Sequence, residues 1–141
     1  MDNDELHRYL RDKGADGTAI KTCFNIMKRW RFTRSEMAVV LGVSTSSLSR
    51  YLASPQTVRL SRDQRDRASY ILNIHAALCT LFSNPDNIFG FVNMPNYNDF
   101  FDGRAPKVLL VEGGMENLIL VSRHLQMLVD SIGADRIKYA G

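Results

Sequence analysis

Apolar residues recur at helical spacing along most of this chain, and the polar gaps between the runs are short. Ile20, Cys23, Phe24, Met27 and Trp30 stand at i, i+3, i+4, i+7 and i+10, which predicts an amphipathic helix. Ahead of it, Leu6, Tyr9 and Leu10 line one side of a short helix over 3–13, ended by Gly14. Behind it, Thr33 and Glu36 form a T-x-x-E capping box, in which each side chain satisfies a free backbone N–H at a helix start. Met37, Val40 and Leu41 continue the stripe, and Ala38 is small enough for a second helix to cross closely. Gly42 suits the left-handed backbone of a helix stop. Val43 packs into the turn and Ser44 caps the next helix. Leu48 and Leu52 then turn inward, and Pro55 stops the run.

The second half is helical as well. Ser61 and Gln64 repeat the capping-box pattern and open a long helix with Ala68, Ile71, Leu72, His75, Leu78, Cys79 and Phe82 on one face. Asn84 before Pro85 marks a further start, because proline fits the first helical position. Residues 93–104, with two Asn–aromatic–Asp clusters and Gly103, read as a loop. Pro106–Glu112 makes a short helix stopped by Gly113 and Gly114. Leu118, Val121, Leu125, Leu128 and Ile132 alternate three and four apart on a last helix that ends at Gly133, leaving 134–141 as a tail. No segment has a strand period, so the fold class is all-α.

Two short helices meeting at a glycine turn over Thr33–Leu52 are the pattern of a helix-turn-helix, whose second helix enters the DNA major groove. An ordinary helical hairpin is the bland alternative, and charge weighs between the two. From Thr18 to Arg67 there are ten Lys or Arg against three acidic residues, whereas Ala68–Gly141 carries five against seven. A basic segment that coincides with a helix-turn-helix is an electrostatic footprint for phosphate. Thr45, Ser46, Ser49 and Arg50, at the start of the second helix, are the candidates for reading bases. Arg31, Thr33 and Arg34 are the candidates for backbone phosphates, and Ser44 joins them at the turn.

Composition removes other classes. The 141 residues, 45% hydrophobic, suffice for one compact domain or two small ones. No apolar run reaches the roughly 20 residues of a membrane span and the acidic N-terminus does not resemble a signal peptide, so a cytoplasmic protein without membrane contact is expected. Cys23 and Cys79 both fall on apolar faces and read as buried, reduced thiols. His75 and Cys79 are four apart and could supply half a metal site, but no second pair accompanies them, and a packed histidine is the plainer reading. The serines of 44–49 have no base–orienter pattern beside them. No catalytic residue, metal or cofactor is expected, and the chain reads as no enzyme.

One resemblance goes beyond these patterns. Asn96–Leu110 (NYNDFFDGRAPKVLL), then Glu112-Gly113-Gly114, Leu118, Val121 and Arg123-His124-Leu125, resembles the C-terminal domain of Xre/MbcA/ParS-type antitoxins, with its Asn–aromatic–Gly-x-x-Pro-x-x-Leu-Leu segment, glycine turn and terminal helix. The preceding helix-turn-helix matches the same two-part layout, so the resemblance covers about 18–133. Asp102 ahead of the glycine and Ala105 ahead of Pro106 depart from the pattern. The resemblance implies an Xre/Cro-like DNA-binding bundle over 18–63 after an N-terminal arm (1–17), then a helical toxin-binding domain over 64–141. It further implies a type II antitoxin that blocks a RES-domain, NAD⁺-degrading toxin and represses its own operon. Phe100, Arg104 and Arg123, and Arg136, Ile137, Lys138 and Tyr139 of the tail, are then candidates for the toxin surface, with Tyr139 able to enter a ring site. Pairing on two half-sites predicts a homodimer and, with toxin, a hetero-oligomer. The seam would be apolar residues of the first half or the terminal stripe. Two alternatives stay open: a phage-type or housekeeping repressor whose second half only dimerises, and a toxin-binding adaptor whose helix-turn-helix is vestigial.

Overall fold

The computed structural model describes the backbone of residues 2–12 and 14–140, and the side chains of these except residues 7, 9–12 and 133–140. Among the described residues eight α-helices follow one another: α1 (Asn3–Asp12), α2 (Ala15–Arg29), α3 (Arg34–Leu41), α4 (Thr45–Ala53), α5 (Arg62–Leu81), α6 (Pro85–Gly90), α7 (Pro106–Glu112) and α8 (Gly114–Ala140). Short 3-10 turns lie at Pro55–Thr57 and Phe91–Asn93, and no strand occurs among the described residues. The chain divides into two compact units, Met1–Ser69 and Tyr70–Gly141, and the division falls inside α5. It lies beyond the expected 63/64 junction, and residues 15–17, expected in the N-terminal arm, already belong to α2.

The first unit is built around α2. Ile20, Cys23, Met27 and Trp30 are buried as their spacing predicts, joined by Ile26. Met37, Ala38, Val40 and Leu41 from α3 and Leu48 from α4 complete the core with Val58 and Leu60, while Leu52 is half-buried. Cys23 donates its S–H to the Ala68 carbonyl (3.5 Å), and burial pushes its thiol up to about 12. Two residues before the expected domain start anchor the first turn of α2. Asp16 is buried and accepts the Leu60 N–H at 2.9 Å. Gly17 lies so close to the Pro55 turn that a Cβ there would run into the Pro55 carbonyl. The end of α2 is unusual. Phe32 N–H reaches the Met27 carbonyl (3.0 Å) and Arg31 N–H the Lys28 carbonyl (3.0 Å), a Schellman closure in which Arg31 takes the left-handed position at φ 64°.

The second unit packs α7 against α8 and against the Phe91–Asn93 turn. Ile71, Ile74, Ala77, Leu78, Val92, Phe101, Leu109, Leu110, Leu118, Val121 and Leu125 are buried. α6 begins as anticipated, with Asn84 Oδ1 accepting the Asp86 N–H at 2.9 Å. Two expectations need correction here. Cys79 is exposed, because Ile71, Ile74 and Leu78 hold the centre of the buried face of α5 and Cys79 stands about 100° round the helix from Leu78. α8 continues past Gly133 to Ala140. A single glycine costs a helix only about 1 kcal/mol, and the residues beyond it include good helix formers.

Candidate nucleic-acid interface

The turn between α3 and α4 is held by local chemistry. Thr33 Oγ1 accepts the Glu36 N–H (3.1 Å) while Glu36 Oε1 accepts the Thr33 N–H (2.8 Å), so the predicted capping box is complete. Gly42 ends α3 at φ 70°, and Val43 N–H closes on the Ala38 carbonyl at 3.0 Å. Ser44 Oγ accepts the Ser47 N–H at 3.0 Å and so opens α4. The start of α5 then secures the turn from outside. Ser61 and Gln64 form their own reciprocal cap (3.0 and 3.2 Å). Gln64 Nε2 donates to the Gly42 carbonyl (3.2 Å) and Arg67 Nη1 to the Val40 carbonyl (3.4 Å), satisfying carbonyls that the end of α3 leaves free. Arg67 is itself fixed by Asp63 at 2.9 Å.

On this scaffold, Thr45, Ser46, Ser49 and Arg50 are all exposed. They stand at i, i+1, i+4 and i+5, one strip of α4 turned away from buried Leu48. Ser44 is exposed too, but its oxygen is engaged in the cap. Arg50 lies back along its own helix, with Nη2 3.4 Å from Ser47 Oγ and its guanidinium 5.4 Å from the Tyr51 ring centre. Ser47 was not among the sequence candidates, yet it links the cap to the arginine, since Ser44 Oγ lies 2.9 Å from Ser47 Oγ. Arg31, Thr33 and Arg34 are exposed at the other end of the turn, where Arg34 lies over the Phe24 ring at 5.0 Å. That ring face attracts the guanidinium and helps hold it in place. Free N–H groups and the positive dipole end at the start of α4 add further attraction for phosphate.

Residues 11–73 match the antitoxin Xre-like helix-turn-helix domain. The match covers this whole interface. Over 107 residues, 75% of this chain, the sequence is 28% identical to an uncharacterized protein, y4oB, of Sinorhizobium fredii (strain NBRC 101917 / NGR234), spanning 80% of that protein. No solved structure matches the chain significantly.

The second unit offers a different kind of surface. A cleft of about 490 Å³ is lined by Phe100 and Arg104 with Leu109, Glu112, Gly113, Asn117, Leu120 and Val121. Sequence reading singled out the first two and missed the rest of the wall. Asn117 is central to it. Its Nδ2 donates to the Leu109 carbonyl (2.9 Å), and it packs on Gly113 so closely that a Cβ there would overlap its amide. Arg104 Nε donates to the Phe101 carbonyl at 3.2 Å, and Phe100 stacks on His124. Arg123 is exposed but does not line the cleft. Arg136, Ile137, Lys138 and Tyr139 lie outside the described side chains. Asp102, the departure noted before Gly103, sits at φ 53°, and Gly103 follows at φ 79°. Asp tolerates this region better than most residues. His75 Nε2 and Cys79 Sγ do meet, at 3.5 Å, but among the described residues no three His, Cys, Asp or Glu gather into a metal site. Among the same residues no helix is long and apolar enough to cross a membrane.

Proposed function

We propose that this chain is the antitoxin of a type II pair. Its first unit grips the operator of its own operon, and its second unit blocks a RES-domain toxin that degrades NAD⁺. The observation that carries the DNA arm is the strip Thr45, Ser46, Ser49 and Arg50, exposed on a helix whose start, turn and neighbour are all capped, within a segment that matches an antitoxin helix-turn-helix. Thr45, Ser46, Ser49 and Arg50 read bases. Arg31, Thr33, Arg34 and Ser44 hold phosphates, and a homodimer places two such helices about one DNA turn apart.

The toxin arm rests on the resemblance of residues 96–125 and is supported by the cleft beside Phe100 and Arg104. Leu120 and Met127 add exposed apolar area on α8. The repressor whose second half only dimerises is the weaker reading. Leu118, Val121 and Leu125, the strongest part of its supposed seam, are buried within their own unit. Co-expression of this chain with the neighbouring reading frame, followed by mass analysis and a promoter-binding assay, tests both arms. A co-purifying RES-domain protein and retarded promoter DNA are expected. Specific DNA binding with no partner would leave the repressor, and a partner without DNA binding would leave the adaptor.

A further inference from the structure

Against the cleft residue Phe100 lies a histidine, His124, whose proton is assigned by its neighbours. Asn98 Oδ1 accepts the Phe101 N–H at 3.0 Å, so the amide nitrogen is the end that faces His124, 3.2 Å from its Nε2. An amide nitrogen only donates. Nε2 must therefore accept, which makes the imidazole neutral with its proton on Nδ1. The same ring stacks on Phe100 (centroids 4.4 Å apart, planes 6° apart) and meets Phe101 edge-on at 5.3 Å. One side chain of α8 thus touches three residues of the loop that carries Phe100 and Arg104 to the cleft.

We propose that neutral His124 is a latch that holds the 96–104 loop in its cleft-lining shape, so that acidification loosens this face and weakens its hold on a protein partner. The partner half of this statement rests on the reading that the cleft receives the toxin; the latch itself does not. Protonation puts an N–H on Nε2, facing the NH₂ of Asn98. Turning the amide over would satisfy His124 but set NH₂ against the Phe101 N–H, so one of the two bonds is lost either way. Stacking on Phe100 survives the charge as a cation–π contact, which leaves Asn98 as the point of failure. Among the described side chains, the ionisable ones on the elements packed here are Tyr97, Asp99, Asp102 and Arg104 in the loop, Lys107 and Glu112 on α7, and Glu116, Arg123 and Asp130 on α8. Burial, not any of these charges, holds His124 below the ordinary histidine range. The sign follows: a depressed group contributes fully above its unfolded value, and the contribution is lost as pH falls through the folded one.

Imidazole NMR on the free protein between about pH 8 and pH 5 tests the latch without any partner. His124 should be the Nδ1–H tautomer, should titrate below an unfolded-chain histidine, and should share its midpoint with the Phe101 amide. Asn98→Ala, which removes a bond to the neutral form, should raise that midpoint. In parallel, toxin captured by co-expressed wild-type protein should fall about tenfold over the same range, and His124→Gln, an acceptor that does not titrate, should flatten the fall. A His124 that titrates without the Phe101 amide overturns the latch. A coupled titration with equal pH dependence of capture in wild type and His124→Gln overturns its effect on binding. Absence of capture even at pH 8 would overturn the toxin reading and leave the latch standing on NMR alone.

Discussion

The two units solve the problem of presenting a binding surface in opposite ways. In the first, the candidate groups stand on short helices whose ends are secured by residues three apart: Thr33 with Glu36, Ser44 with Ser47, Ser61 with Gln64. In the second, the cleft and the loop beside it are held by residues further apart in the chain: Asn98 with His124, and Asn117 with the Leu109 carbonyl. Charge divides along the same line. The first unit holds the basic excess of residues 18–67, and the second is mildly acidic and exposes Met94, Tyr97, Val108, Leu120 and Met127. A rigid, positive strip suits a regular polyanion, whereas a cleft with apolar walls suits a protein partner.

The two cysteines, one in each unit, give the largest contrast to test. Cys23 is sealed in the first core with its thiol pushed up to about 12, and Cys79 is exposed on α5. The thiolate is the reactive form, so a water-soluble alkylating reagent at pH 8 should modify Cys79 at least about a thousandfold faster than Cys23. Peptide mass analysis over time measures both. Comparable rates would show that the first unit opens readily and would break the description of its core as sealed.

Core truncation should separate the units in function. Leu41→Ala and Leu125→Ala each remove a fully buried side chain and should each cost about 2–5 kcal/mol. Leu41→Ala should abolish promoter binding and leave partner capture; Leu125→Ala should do the reverse. Denaturant titration with both binding assays decides it, and loss of both functions in either variant would mean that the two surfaces are not independent.

Within the DNA strip the contrast narrows to two arginines. Arg50→Ala should cost about 1–3 kcal/mol on operator DNA and little on random DNA, because a bidentate contact to guanine discriminates. Arg34→Ala should weaken every sequence alike and reduce the slope of log K against log salt by about 0.9. Titrations at several salt concentrations on both DNAs distinguish the patterns. Equal losses for Arg50→Ala would remove it from base readout and shift attention to Thr45, Ser46 and Ser49.

Most of the first unit was legible because its signals are local. A capping box is a spacing of three residues, and an amphipathic stripe declares its buried face. What escaped involved either distance or exception. The bond from Asp16 to the Leu60 N–H joins residues 44 apart, so residues 15–17 read as an arm although they begin α2. The cleft escaped for the same reason: Phe100 and Arg104 carried a family pattern, but Asn117 and Leu120 became wall only when α8 folded back on α7. Cys79 was misplaced because an i+4 pattern through Phe82 hid the stripe centred on Ile74 and Leu78. Gly133 was overread as a stop.

Arg31 is the sharpest exception and supports the smallest effect. Its position at the end of α2 is one that glycine normally fills, and a side chain held at φ 64° costs roughly 1–2 kcal/mol. The Phe32 and Trp30 rings, 5.5 Å apart, and the bond from Phe32 N–H to the Met27 carbonyl keep the turn closed despite this cost. A strained arginine that is also exposed beside Thr33 and Arg34 has more reason to be there for its charge than for the fold. Arg31→Gly should therefore move stability and binding in opposite directions. Relief of the left-handed side chain should stabilise the first unit, with up to about 1 kcal/mol remaining after the greater freedom of glycine in the unfolded chain is set against it. Loss of the cation should weaken DNA binding on all sequences and reduce the salt slope by about 0.9. Thermal unfolding and salt-dependent titration of the same variant give both numbers. A variant that is stabilised yet binds DNA as tightly as before would take Arg31 out of the interface, and one that is destabilised would show that the turn depends on the arginine side chain itself.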